Sequence, residues 1–487
     1  MAADVKTSVL LQHRVLARLT YGPNAASVAD LAKRGLEGWL NDQLNPKKTE
    51  STKLSQILTN FRGENMNTAE FGTDTVFSAK KAYVVQELTH TTILREIYSS
   101  RQLFETLVEF FNDYLPVTAG FSGDVFRKAY DQEVIRKHAL GTYPNMLVAA
   151  TFHPAMMDYL NLNQNSAKRP NENYARELLE LFTITPAAKY KETDVIAAAK
   201  LMTGLRWDGA TQSLKVSLGN RYFGAVEVFG FKNENGKTTD QELVKARITE
   251  LVQYLAMLPE TAKEFSTRLL RRYVSDVPNS AYVSRLAKVY LATKGSIPAV
   301  VKAMVLDAEF LKTPAKKTKR PLEHTISTIR ALSAEFSSAP IGNADNDFKN
   351  LGGSPVNVVH TALVKQGHGH YQWDFPDGYP DSSQPWSTFS AQVQRWNLAS
   401  DLLLAANKRF NQIDSTKFVS TVDKTVTQIV DRVSTRFLGR TLASAARAAL
   451  ISTIAKEVGS QPTAANRTEA TRLAATFVLS SPEWNLR

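Results

Sequence analysis

The chain has 487 residues, enough to bury a large core, and its 43% hydrophobic and 22% charged residues lie near the globular average, which excludes a disordered chain. A net charge of +12 sets up a field that attracts polyanions, while the absence of cysteine removes disulfides, thiolate metal sites and cysteine nucleophiles together. No window offers the roughly 18 uncharged apolar residues of a membrane-spanning helix, and Met1-Ala2-Ala3-Asp4-Val5-Lys6 lacks the apolar run of a signal peptide, although a processed protein restarted on a new Met reads the same.

Helical spacing dominates from the start. Leu36, Trp39, Leu40 and Leu44 mark one helix face that Asn45-Pro46 stops. Asn171-Glu172-Asn173-Tyr174-Ala175-Arg176-Glu177-Leu178-Leu179-Glu180-Leu181-Phe182 places Asn173, Arg176, Glu177 and Glu180 on one arc of a helix and its apolar residues opposite. Val195, Ala198, Ala199 and Met202 repeat the pattern behind Thr193-Asp194, either of which can cap the first turn, with Gly204 near the end. Strand signals concentrate between Ser213 and Lys232, where aromatic and β-branched residues alternate with glycines and predict a short hairpin or ribbon. Asn233-Glu234-Asn235-Gly236 is a turn, followed by a helix from about Asp240 to Leu258 before Pro259. Ser337 to Gly378 is rich in Gly, Pro, Asn and Asp and predicts a long connection, which carries on through the aromatic stretch to residue 397. The fold class is mainly α, with at most a small β-hairpin or ribbon near 213–232.

The carboxylates of the Asn171–Phe182 run are the first candidates for chemistry. Glu177 and then Glu172 are candidate general acid or base groups, with Asn171 and Asn173 orienting a substrate and Arg176 biasing a carboxylate toward its charged form. The alternative is ordinary amphipathicity, with Glu172–Arg176 and Arg176–Glu180 as helix-surface ion pairs. A carboxylate pair of this sort suits glycoside hydrolysis, whose stereochemical course depends on their separation. Tyr371, Trp373, Phe375, Tyr379, Trp386 and Phe389 crowd one stretch; Trp373, Tyr379 and Trp386 are the candidates to stack on sugar rings, the alternative being that the rings staple a long loop to the helices, and the interleaved Asp374, Asp377 and Asp381 disfavour a nucleic-acid platform. His360, His368 and His370 cluster without a third ligand at a helical spacing, so His368 and His370 read as an exposed loop pair and neither metal nor cofactor is expected. His138 and His153 read as structural. Lys312, Lys316, Lys317, Lys319 and Arg320 form the densest basic run, a solvated connector by default. The sequence holds no phosphate-cradling loop, dinucleotide fingerprint, nucleophile elbow or paired-histidine protease motif.

Ordered motifs along the chain resemble a large bacterial family, domain-of-unknown-function family eighteen hundred. They include Arg18-Leu19-Thr20-Tyr21-Gly22-Pro23, Glu133 through Gly141, His153-Pro154-Ala155-Met156, the Asn171–Phe182 run, Lys319-Arg320-Pro321-Leu322-Glu323, Pro376-Asp377-Gly378-Tyr379-Pro380 and Ser481-Pro482-Glu483-Trp484. The resemblance implies one helical domain over 1–487, with soft subdivisions at 1–205, 206–240 and 241–487, in a family whose members often carry export signals; it implies no activity. Relatives commonly have Trp-His-Asn-His-Phe where this chain has Phe111-Asn112-Asp113-Tyr114-Leu115, and a His-Asp-x-Gly-x-Lys segment falls near Tyr222–Phe229, so the family's histidines are missing here. The expectation is an exported protein, periplasmic, cell-surface or extracellular, that engages an anionic polysaccharide or a cell surface and, if it is an enzyme, is a glycan hydrolase or lyase. The alternatives are a non-catalytic, self-assembling scaffold and, more weakly, a nucleic-acid binder.

Overall fold

Apolar spacing becomes helix along most of the chain, and each start has a local cause. In the computed structural model, which describes residues 2–79, 81–120, 122–334, 355–404 and 413–487, Ser8 accepts the Leu11 amide and opens α1 (Val9–Leu19). Asn24 and Ser27 cap each other's amides at the head of α2 (Ala25–Gln43), whose buried side carries Leu36, Trp39 and Leu40 and which stops before Asn45-Pro46 as predicted. α3 (Lys81–Tyr98) and α4 (Gln102–Tyr114) follow. The short helix Arg127–Tyr130 then widens into a π-helical segment, Asp131–Arg136, a rare form that is frequent at functional sites.

α5 (Tyr143–Phe152) and α6 (Asn173–Glu180) come next, α6 burying Tyr174, Ala175, Leu178 and Leu179 as the arc required. α7 (Glu192–Leu201) starts ahead of the expected caps: Lys191 flanks it, and Asp194 accepts the Lys191 amide at 2.7 Å from inside the first turn. The ribbon is two hairpins and begins earlier than its strand signals. β1 (Leu205–Asp208) pairs antiparallel with β2 (Ser213–Val216), and β3 (Val226–Val228) with β4 (Phe231–Asn233). Phe229 and Gly230, with φ of 45° and 87°, turn the second hairpin as a type I′ loop requires.

α8 (Gln241–Ala256) is opened by Asp240 and ends before Pro259, as predicted, and Pro259 itself begins α9 (Pro259–Tyr273). α10 (Ser280–Ala292), α11 (Ile297–Leu306) and α12 (Pro321–Ala331) complete this part. The predicted connection from Ser337 is corrected in its middle. Its 337–354 portion lies outside the described residues, whereas α13 (Pro355–Lys365) is a helix with Val356, Val359 and Leu363 on its buried face. α14 (Phe389–Leu403), α15 (Val426–Leu438), α16 (Ser444–Val458) and α17 (Arg467–Ser480) finish the chain. Among the described residues the two hairpins are the only sheets, and no helix is long and apolar enough to cross a membrane.

Two large apolar clusters make the core. One joins α1, α2 and α4 to the elements up to Leu311; the other joins Tyr21 and α3 to the helices from α12 onward. α4 and α3 are thus neighbours in sequence that belong to different clusters, and the candidate site lies between them.

Candidate acid–base cavity

Carboxylates enter this junction because α4 carries Glu105, Glu109, Asn112 and Asp113 among apolar neighbours that fix its face. Two buried arginines meet them. Arg272, near the end of α9, bonds Glu109, Asp113 and Asp381. Arg320, fully buried at the head of α12, donates to Glu109 at 2.7 and 2.8 Å, to Asp113 at 3.0 Å and to Glu323 at 3.1 Å. Arg487 closes the chain of charges on Glu323 at 2.8 Å. Burial raises the acids, but the arginines hold Glu109 below its ordinary range, whereas Asp113, squeezed by burial and by Glu109, is pushed up to about 7.

Above this network lies a cavity of about 40 Å³. At about 10–15 Å³ per buried water, it takes a few waters or a small substituent, not a sugar ring. His370 stands in its wall, with Nε2 donating to both Glu96 oxygens at 3.0 and 3.2 Å. Tyr21 donates its hydroxyl to the same carboxylate at 3.2 Å. Burial works against the imidazolium, but Glu96, Glu109 and Asp113 outweigh it and hold the pKa of His370 above its ordinary value. The Nδ1 of His370 has no hydrogen-bond partner among the described residues. Arg127, 1% exposed, also lines the cavity; it donates to Val117 O at 2.7 Å and to Asn112 Oδ1 at 2.8 Å, and its Nη1 is likewise unpartnered among the described residues. Its guanidinium lies 4.3 Å from the Tyr371 ring centroid. Arg136, in the π-helical segment, grips Glu105 at 2.7 and 3.2 Å and Asp131 at 2.8 Å. Tyr371 has φ of 61°, a strained value for a tyrosine, and is held by Thr92 at its hydroxyl and by the Ala119 amide at its carbonyl.

The loop that brings His370 here is pinned by one glycine. Gly378 has φ of +72°, and a Cβ on it would sit 2.0 Å from the Asp113 carbonyl oxygen. Trp373 and Tyr379 line the cavity, their ring centroids 5.1 Å apart, with Trp373 donating to Asp377 at 2.7 Å and Tyr379 to Gly369 O at 2.7 Å. Phe375 is 62% exposed beside Trp373. Trp386 is buried and stacks on His368 with centroids 4.8 Å apart, behind the cavity rather than in its mouth.

The Asn171–Glu180 residues sit outside the cavity, with Glu177 within the electrostatic field of Asp377 of the loop. Arg176 is bonded by Glu172 at 3.2 Å, Glu180 at 3.6 Å and Glu192, so the two predicted ion pairs form and a third joins them. Asn171 Oδ1 accepts the Asn173 amide at 3.0 Å, and the Asn171 amide bonds Asn165. Glu177 is different: half-buried, with its pKa raised first by burial, then by Glu180 and by Asp377 of the loop. Tyr159 lies within the field of Glu177, Asp374 and Asp377 and contacts cavity-lining Thr118 at 3.3 Å.

Several sequence expectations are corrected. His368 and His370 are buried, not an exposed pair, because Trp386 and Glu96 cover them. Lys317, Lys319 and Arg320 are buried and bonded, not a solvated connector. Glu96, Asp113, Arg127 and Arg272 were missed; the only signal was charge at helix positions whose neighbours are apolar. Of the two positions at which the family resemblance leads one to expect histidine, Asn112 stands on the cavity wall between Arg127 and Asp131, whereas Tyr114 packs against Tyr143 in the core with centroids 5.2 Å apart. His153 is structural, accepting the Ala155 amide at 3.2 Å.

The architecture is that of a large helical protein with an acid–base cavity between two apolar cores. The chain belongs to the family described as protein of unknown function (DUF1800), whose profile matches residues 14–486, nearly the whole chain. No curated protein and no solved structure matches it.

Proposed function

We propose that the protein is exported, engages a polysaccharide at the rim formed by Trp373, Phe375 and Glu177, and acts on it by proton transfer in the cavity beneath. The observation that carries this is the histidine–carboxylate pair, His370 on Glu96, with its second nitrogen unpartnered in a walled cavity beside Asp113. His370, whose imidazolium is favoured by the Glu96 carboxylate, donates its Nδ1 proton to the leaving oxygen as the C–O bond breaks. Asp113 takes a proton from the attacking water, and Arg127 Nη1 stabilises charge on a substrate oxygen. The cavity is too small for a ring, so the sugars stay on the aromatic rim and only the bridging oxygen or a ring substituent reaches in. Asp374, Asp377 and Glu177 make this rim acidic, which favours hydroxyl-rich rather than anionic units there. The expectation of export follows from the family resemblance.

Glycan-array binding followed by assay of released reducing ends tests the reading. His370→Gln should lower kcat at least a hundredfold with binding kept, while Glu177→Gln and Trp373→Ala should weaken binding. No glycan bound, or turnover indifferent to His370, ends it. A second reading, a non-catalytic assembly protein, draws on Asn112 and Tyr114 standing where the family resemblance leads one to expect histidine; it requires a defined oligomer, and a monomer at high concentration in light scattering counts against it.

A further inference from the structure

Lys319 and Arg320 are consecutive, yet they serve opposite sides of the α12 start. Arg320 reaches the carboxylates under the cavity. Lys319, 2% exposed, lays its ammonium 3.6 Å from the Trp484 ring centroid and 3.2 Å from Ser327 Oγ. Its side of the chain opens on a second cavity, of about 260 Å³, between α1, residues 314–319, the end of α15 and the 483–487 turn.

The charges lining this second cavity are out of balance. Arg14, Lys319 and Arg440 face a single acidic side chain, Glu483, which Arg440 meets at 3.4 Å, while Arg487, also in the wall, is paired outside it with Glu323 at 2.8 Å. Arg487 is 4% exposed, and its Nε has no partner among the described residues. An ammonium has three N–H bonds, and Ser327 Oγ answers one of those on Lys319. The crowding is felt nearby: burial, then Arg14 and Arg487, depress the guanidinium pKa of Arg18 to about 10, and burial followed by Arg487 brings Lys319 down to about 7 despite Glu323. Buried cations left short of partners cost free energy that an anion recovers.

We propose that this cavity binds an oxyanionic group, a sulfate, phosphate or carboxylate, held by Lys319, Arg14 and Arg440 against the Trp484 face, with the Nε of Arg487, unpartnered among the described residues, in the wall. The site stands apart from the acid–base cavity and gives the net charge of +12 a place to act that the acidic rim denies it. Its ligand is either a free anion or the same group on an acidic polysaccharide.

Calorimetric titration of the full chain with sulfate, phosphate and acetate, and with a sulfated and a uronate oligosaccharide, separates these sources at ionic strength fixed with sodium chloride. Saturable binding of at least one probe is expected, weakened tenfold or more by Arg14→Gln or Arg440→Gln, both partly exposed, and unchanged by Lys302→Gln, an exposed lysine elsewhere. Equal affinity for free and attached groups assigns a free-anion site; binding of the oligosaccharides alone assigns a polymer site. No saturable binding, or equal weakening by Lys302→Gln, overturns the proposal. His370→Gln, which tests the acid–base reading, should leave this binding intact.

Discussion

Replacing Arg320 by Met probes the charged network under the cavity. The guanidinium is fully buried and bonds Glu109, Asp113 and Glu323. Methionine keeps most of the stem's packing but leaves Glu109 and Asp113 on Arg272 alone and Glu323 on Arg487. Removing one partner of such a buried set costs about 3–5 kcal/mol. The pH dependence follows from the sign of the shifts. Glu109 and Glu323 lie below their ordinary value of 4.5 in the folded chain, so their contribution is present above that value and is lost as pH falls through the folded pKa. In the variant they have less to lose, so the gap between the two proteins is widest above about pH 5 and narrows in acid. Urea unfolding, followed by tryptophan fluorescence and circular dichroism at several pH values, reads this as a shift in midpoint. A deficit below about 1 kcal/mol, or one that stays constant from neutral to acid pH, would refute the account of the network as a mutual neutralisation.

Gly378→Ala should destabilise by about 2–4 kcal/mol, since the positive φ costs about 1 and the clash with the Asp113 carbonyl about 1–3; an unchanged urea midpoint contradicts the packing described. Asp113, with an ordinary value of 3.8 and a folded value near 7, makes the fold less stable as pH rises between those values, so Asp113→Asn should flatten that decline in denaturant titrations. Arg176→Ala should cost less than about 1 kcal/mol, because its three ion pairs are about a third exposed or more; a larger loss in thermal or urea unfolding would show that the rim helix depends on them.

The helices and their stops were legible because each is written locally: Asn45-Pro46 ends α2, Asp240 opens α8, and Tyr174, Leu178 and Leu179 show the buried face of α6. α13 was hidden by the Gly- and Asn-rich residues before it, although Val356, Val359 and Leu363 carry its period. The site was half legible. Trp373 and Tyr379 line the cavity and Glu177 feels the charge of Asp377 on the same loop, but Glu172 and Arg176 form a surface cluster and Trp386 is interior. His370–Glu96 and Arg320–Glu109 join residues far apart in the chain, and no local pattern marks which helix will bring a carboxylate to which cation.

Tyr21 and α3 belong to the core that the helices from α12 onward complete. As the protein is synthesised, these early segments leave the ribosome long before the partners that cover their apolar faces. The first core can condense meanwhile, but the second stays open until translation is nearly finished, so newly made chains expose a sticky surface for that interval and a truncated product carries it permanently.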